Sequence, residues 1–483
     1  MFDRDHEWSA LTRFINDDRP GATLGVVSGR RRQGKTYLLD AACQQAGGFY
    51  FGATLATETE SLRLISAEMT EHVHPPSPFH FTDWHEVFDA LLALGSQRPM
   101  PVVIDEFPYL VKASPALPSI IQQALRTRRA EREQSRTRLL LCGSAMSFMG
   151  GLLAGNAPLR GRAGLELVVP TLDYRLAARF WDIADPALAV RVNAVVGGTP
   201  AYRREFIRND TPAGPDDFDS WVIRTVLNPE SPLFREARYL LVEEPNIRDD
   251  ALYHSVLAAV AAGNNSRGGI AGYLERKAQD IAHPLHVLEA AGLLTHEPDI
   301  LRHNRSSYRI AEPLVTFYHT IMRPVWGQLE RPGSARRVWR ASHRRFVSNI
   351  LGPHFERICR AWALHFADPE QLGGLPAVVG SAAVNDPAAR AHHEIDVVVV
   401  GIADNGKPPL LSIGEVKWND TIGMGHLDRM CGIKELLDHN DRYDTSRTKI
   451  ALYSAAGFTD ELRRRADQLD DVLLIGIGDL YRE

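Results

Sequence analysis

Cysteine is scarce in this chain: Cys43, Cys142, Cys359 and Cys431 are the only four in 483 residues, and none forms a CxxC pair. That excludes a disulfide scaffold or a zinc knuckle and suits a reducing cytosol. Charge of one sign is missing too, since 55 Lys and Arg against 60 Asp and Glu leave a net −5. A balanced total says little about partners, because a basic face can hide inside an average. Long lipid-compatible runs are absent. The charge-free stretch between Arg138 and Arg160 contains Gly143, Ser144, Gly150, Gly151, Asn156 and Pro158, which suit a buried strand and a Gly-rich loop. The opening MFDRDHEWSA is too acidic and polar for a signal peptide. The expectation is a soluble, cytoplasmic protein with no membrane partner. Apolar residues, at 44%, are plentiful enough for buried cores, and at about 150 residues per domain the length suggests three domains.

Residues 1–190 alternate strand-like runs (Leu24–Ser28, Val102–Asp105, Leu139–Gly143) with helical patterns, the rhythm of a parallel α/β sheet. Asp83-x-x-Glu86 reads as a capping box after a Pro-rich loop, and Asn209–Ser220 as a boundary or exposed excursion. From Ala251 to about Pro313 short helices are expected at His254–Ala262, Ile270–Lys277 and Pro284–Ala291. Extended segments follow at Leu293–Glu297 and Tyr308–Ile310, which gives a winged-helix outline. The last section holds a helix and two apolar runs, Ile395–Ile402 and Leu410–Val416.

Gly29-Arg30-Arg31-Arg32-Gln33-Gly34-Lys35-Thr36 matches GxxxxGK[ST] without deviation, between an apolar strand and the helical Tyr37–Ala42. Such a loop wraps phosphates with backbone N–H groups at a helix N-terminus. Lys35 would neutralise the β- and γ-phosphates of ATP, and Thr36 would offer its hydroxyl to Mg²⁺. Seventy positions after Lys35, Pro101–Glu106 is an apolar strand that delivers Asp105 to the magnesium shell, with Glu106 placed to activate the attacking water. Leu139–Ser144 would be the neighbouring strand. Ser144 is there either a γ-phosphate sensor or a simple turn serine.

With these motifs, the chain resembles the archaeal-type ATPases of the AAA/STAND group, which also occur in bacteria. The resemblance is carried by Phe2-x-Arg4, the Gly29–Thr36 loop, Ile104-Asp105-Glu106, Leu141–Ser144, Pro158-Leu-x-Gly161-Arg162 and Gly197-Gly198-x-Pro200-Ala-Tyr202. It implies a helical lid that touches nucleotide through the Pro200 segment, and a γ-phosphate arginine that is either Arg160 or Arg162. It also implies a winged helix and a C-terminal nuclease-like domain.

The residues near the C-terminus support a reading of their own. Asp404-Asn405-Gly406-Lys407 lies between the two apolar runs, and Asn-Gly is a strong hairpin signal. Positions paired across that turn sum to 811, as Asp396 and Glu415 do, and Lys417 would share their face. Carboxylates about 5 Å apart at Cβ repel each other unless a cation sits between them. This is the D…ExK arrangement of a PD-(D/E)XK nuclease: Asp396 and Glu415 for Mg²⁺ or Mn²⁺, Lys417 for the hydrolytic water. Glu356 resembles the acid that such nucleases carry on their first helix. Pro408-Pro409 disturbs regular pairing beside the turn. The alternatives are a solvated charge cluster, or a domain that binds but no longer cuts.

Residues 331–350 carry six arginines and no acid. Arg336, Arg340 and Arg344 share a helical face, with Arg337 beside them, either for DNA phosphates or as a solvated surface. The winged-helix region, with no basic excess, reads as a connector. A second basic cluster, Arg126–Arg138, could serve a homo-oligomer contact through the core. The expected organisation is α/β: a P-loop ATPase core of AAA type (1–190), helical lid (191–245), winged helix (246–325), basic linker helix (326–345) and restriction-endonuclease-like domain (346–483). The expected function is an ATPase that gates a DNA-acting domain; the rivals are a signalling switch and a DNA-binding regulator.

Overall fold

The protein is described by a computed structural model covering residues 4–242, 249–302, 304–387, 390–403, 406–438 and 442–482. Phe2, the expected boundary at 245/246 and the turn residues Asp404 and Asn405 lie outside the described residues. Within them, no helix is long and apolar enough to cross a membrane.

The N-terminal sheet contains β1 (Thr23–Ser28), β2 (Phe49–Gly52), β3 (Met100–Asp105), β4 (Thr137–Gly143) and β5 (Ala163–Val168). All are parallel, in the order β2-β3-β4-β1-β5. β3 and β4 are buried along their whole length, which is why they read as continuous apolar runs rather than alternating ones. Helices on both faces cover the sheet, and β4 separates β1 from β3. The loops after β1 and β3 therefore open on the same carboxyl edge, where open parallel sheets bind ligands.

A helical region follows. Three helices (Asp250–Ala261, Arg267–Tyr273, Ala282–Ala290) precede an antiparallel hairpin of β6 (Leu294–Pro298) and β7 (Ser306–Ile310), the outline of a winged helix. The second helix ends earlier than its sequence suggests, because Glu275 adopts a positive φ of 52° and the chain turns. The expected boundary at 345/346 falls inside one uninterrupted helical run. Ala335–Phe346 continues through a π turn at Val347–Leu351 into Gly352–His365. Trp339 and Phe346 anchor this run against Phe218 and Phe317.

The C-terminal sheet is mixed, in the order β12-β11-β10-β9-β8. Its strands are β8 (Pro376–Asp386), β9 (Ala391–Gly401), β10 (Leu410–Lys417), β11 (Lys449–Ser454) and β12 (Val472–Gly476). β9 and β10 are antiparallel, and Ser412, Ile413 and Gly414 face Val399, Val398 and Val397 in the constant-sum register. An irregularity between Leu410 and Ser412 lies beside Pro408-Pro409. One apolar core extends from Leu172 in the helical region to Leu480 and includes one face of this sheet, so these parts pack as a unit.

Candidate functional site

The glycine loop leaves β1 and returns as the helix Lys35–Ala46. Gly34 holds φ 89° at its N-cap, and Arg32 lies at φ 68°, a conformation costly for a side-chain-bearing residue. Lys35 is only 5% exposed, and its Nζ donates to the carbonyl of Arg30 (2.8 Å). Burial holds its pKa below the usual lysine range. From beneath, the buried Arg4 donates to Gln33 O (3.2 Å) and Pro170 O (2.8 Å), bracing the loop. Tyr37, on the first turn of the helix, is 64% exposed.

The structure brings Thr36, Asp105, Glu106 and Ser144 together at this edge. Thr36 Oγ1 donates to Asp105 Oδ2 (2.7 Å), which also accepts from Tyr50 Oη (2.6 Å). Burial pushes the Asp105 carboxyl up, but hydrogen bonds from Tyr50, Cys142, Thr36 and the Glu106 N–H outweigh it and keep the group acidic. Glu106 sits at φ 52°, a strained position at the strand end. Ser144 Oγ donates to the Glu106 carboxylate (3.1 Å to either oxygen) and accepts from Arg31 Nε (3.1 Å). Arg31 also reaches Tyr109 Oη (2.6 Å).

The other loop arginines point away from this edge. Arg30 Nη1 pairs with Glu312 Oε2 at 2.6 Å, just after β7, with side chains 14% and 2% exposed. Arg32 pairs with the buried Glu236 and lies over the ring of Phe206 at 5.0 Å. The segment expected to form a lid approaches the same loop, since Ala201, next to Pro200, donates its N–H to Arg32 O (3.4 Å). Gly198 has to be glycine here, because a Cβ would stand 1.9 Å from Leu172 O. Arg160 and Arg162 sit in the loop before β5, where Arg160 Nη1 donates to Gly155 O (2.7 Å) in its own loop.

The second cluster lies where β9 and β10 meet the helix Gly352–His365. One step beyond the Gly414–Val397 pair are Glu415 and Asp396, and Asp396 Oδ2 accepts from the Val416 N–H (2.8 Å). Glu415 is 3% exposed. Its Oε1 accepts from both Lys417 Nζ and Arg429 Nη1 at 2.8 Å, while its Oε2 has no hydrogen-bond partner. Glu356 lies 3.8 Å from Arg360, which donates to Asp396 O (2.9 Å). Burial, and then the charge of Asp396, raise Glu356 to about 7. Asp396 is raised by burial, with partial relief from the Val416 N–H. Among the described residues, no three His, Cys, Asp or Glu side chains converge at metal-binding spacing. The orphaned Glu415 Oε2 is the atom that fits a cation.

Arg336, Arg337, Arg340 and Arg344 are all exposed on the helix Ala335–Phe346. In the other basic cluster, Arg138 is fully buried and bonded to the carbonyls of Asp17, Arg19 and Gly21; Arg136 bonds to Asp18 O and Gln97 O, and Arg129 pairs with Asp89. Those three arginines are engaged within the chain. Tyr50, Glu236, Glu312, Arg360 and Arg429 carry no motif signal, and each enters its site only through tertiary packing.

No protein-family profile matches the chain. An uncharacterized protein of Methanocaldococcus jannaschii is 24% identical over 422 residues, 86% of this chain and 87% of its own. Among solved structures, a Walker-type ATPase of Pyrococcus abyssi has a TM-score of 0.49 at 20% identity, covering 66% of this chain and 96% of that one. The ORC2 protein of Aeropyrum pernix, in ADPNP–ADP complexes, has a TM-score of 0.45 at 14% identity, covering 71% and 96%. Likenesses this remote carry no functional argument. The function is read from the strand order and the site geometry.

Proposed function

We propose that the chain is a P-loop ATPase whose nucleotide state is coupled to a C-terminal PD-(D/E)XK-type domain acting on DNA. The observation that carries this reading is the Thr36–Asp105 contact beside a GxxxxGK[ST] loop on the carboxyl edge of a parallel sheet. Lys35 exchanges the Arg30 carbonyl for the phosphates of ATP, and the loop N–H groups wrap the β-phosphate. Thr36 and Asp105 would hold Mg²⁺, which would supply neutralisation of phosphate charge. Glu106, released from Ser144, orients the attacking water, and Ser144 and Arg31 face the γ-phosphate. Arg160 or Arg162 would reach that phosphate from a neighbouring copy or after lid movement.

Coupling runs through the other two loop arginines. A loop that closes on phosphates shifts Arg30 and Arg32, and with them the buried Glu312 and Glu236. The helical region and C-terminal sheet share one core, so a displaced helical region carries the second cluster with it. There, Asp396 and Glu415 would hold Mg²⁺ or Mn²⁺, which would supply Lewis-acid activation of a phosphodiester, with Glu356 the further acid on the adjoining helix. The partnerless, buried Glu415 Oε2 beside Asp396 supports this reading. Lys417 orients water, and Arg336, Arg337, Arg340 and Arg344 neutralise DNA phosphates. The test is ATP turnover and Mg²⁺- or Mn²⁺-dependent DNA cleavage in wild type, Lys35→Ala and Asp396→Ala. Lys35→Ala loses turnover, and Asp396→Ala loses cleavage alone.

One observation favours a second reading. Lys417 and Arg429 both occupy Glu415 Oε1, which suits an assembly switch whose C-terminal domain binds without cutting. Nucleotide-dependent oligomerisation, with no cleavage of any nucleic acid, would select it.

A further inference from the structure

The arginine row ends at a cavity rather than in open solvent. After Arg336, Arg340 and Arg344 the next position four residues on is Ser348, whose hydroxyl donates to Arg344 O (3.0 Å). Ser348 and Asn349 line a cavity of about 780 Å³ between the wing and the C-terminal sheet. Tyr308 and Arg309 line it from β7, and Arg357 and Arg360 from the helix that also carries Glu356. Both Glu356 and Asp396 open into it.

We infer that this cavity admits the unpaired end of a DNA strand, while the adjoining duplex lies along the exposed arginine row. The inference rests on the nuclease-type reading above and specifies its substrate. The cavity falls within the range of small-ligand pockets, roughly 300–1,000 Å³. It has room for about two nucleotides but not for a duplex, whose major groove alone is about 12 Å wide. Single strands are held by backbone cations together with an aromatic stacking surface. Arg309, Arg357 and Arg360 supply the first, and Tyr308, half-buried against His296 at 5.1 Å, supplies the second. Arg309 and Arg360 pair with Glu297 (2.7 Å) and Glu356 (3.8 Å); Asp299, Glu394 and Asp396 also line the cavity, opposed by Arg305 and Arg357.

Arg344 and Glu356 lie on one uninterrupted helical run, twelve positions apart, or about 18 Å at 1.5 Å per residue. The arginines therefore cannot grip the phosphate at the carboxylates. They meet phosphates further along, about five base pairs away at ~3.4 Å each.

The test uses the full chain carrying Asp396→Asn, so that binding is read without cleavage. Fluorescence anisotropy in Mg²⁺ compares a blunt 20-base-pair duplex (about two helical turns) with the same duplex bearing a single-stranded tail. The tailed form should bind at least about tenfold tighter, the fold-change of one 1.4 kcal/mol step. Adding Asn349→Trp and Ser306→Trp, both exposed positions at the cavity, should bring tailed binding down to the blunt level. Arg340→Glu with Arg344→Glu should weaken both forms. Equal binding of tailed and blunt duplex, or a preference that survives the two tryptophans, overturns the inference. Its failure is separable from that of the nuclease reading. Wild type that cuts covalently closed duplex as fast as tailed duplex sinks the port alone. Wild type that cuts nothing, while Asp396→Asn keeps its tail preference, sinks the nuclease alone.

Discussion

The Arg30–Glu312 pair is the joint of the proposed coupling, and its strength can be worked from the geometry. The charges lie 2.6 Å apart with side chains 14% and 2% exposed. At an effective dielectric of ~20 the bare attraction is about 6 kcal/mol before desolvation. Removing one partner of such a pair costs roughly 3–5 kcal/mol, because the other is left buried and uncompensated. Glu312 Oε1 already has no hydrogen-bond partner, so Arg30→Ala strands the whole carboxylate and should cost about 4 kcal/mol, the middle of that range. Glu312→Gln keeps the shape and should cost less, about 2 kcal/mol. Arg30→Met with Glu312→Leu removes both charges and should cost less than the two single changes together, by about 2 kcal/mol. Since the pair joins two structural units, the loss should appear as local opening rather than global unfolding. Hydrogen exchange of the full chain should speed up in β7 and the helix Pro313–Phe317, by up to about 10³-fold for Arg30→Ala. Unchanged protection there, or strictly additive single changes, would refute the idea of a joint.

Other consequences follow from the same contacts. Tyr50→Phe removes one donor from Asp105 and should lower ATP turnover about five- to tenfold, the effect of one net hydrogen bond of ~1 kcal/mol, with ATP affinity little changed; steady-state kinetics separates the two. Glu356, with an ordinary value of 4.5, is held up to about 7 in the folded chain. The stability it contributes is present at low pH and lost as pH rises through about 7. Denaturation curves of Glu356→Gln should therefore drop less than wild type over that interval, and Mg²⁺ affinity at the wild-type cluster should increase with pH, with proton release measurable by calorimetry. Arg429→Met leaves Glu415 with Lys417 alone and should destabilise the C-terminal sheet by ~1–3 kcal/mol. Added Mg²⁺ or Mn²⁺ should restore part of that loss.

How much could be read from sequence depended on whether a feature is local. Gly29–Thr36 and Ile104–Glu106 could be placed because strand, glycine turn and helix N-terminus are consecutive in the chain, and the apolar runs of β1, β3 and β4 mark a buried parallel sheet. The constant-sum register at Ser412–Gly414 was legible for the same reason, although Pro408-Pro409 disturbs the pairing at Leu410. Partners supplied by distant segments were not. Tyr50 comes to Asp105 from a neighbouring strand, Arg429 to Glu415 from a later helix, and Glu312 to Arg30 from 282 positions away. None of these residues stands in a periodic or motif context. A charge count over Arg126–Arg138 likewise cannot see that Arg138 is buried among backbone carbonyls.

The most direct test of the account is one assay of purified full-length protein with tailed duplex DNA, Mg²⁺ or Mn²⁺, and ATP present or absent, run on wild type, Lys35→Ala and Asp396→Asn. The account predicts cleavage by wild type at a rate that changes with ATP. Lys35→Ala should cleave at a rate indifferent to ATP, and Asp396→Asn should hydrolyse ATP normally and cut nothing. Cleavage by wild type that is the same with and without ATP, or no cleavage of any nucleic acid under either metal, would contradict it.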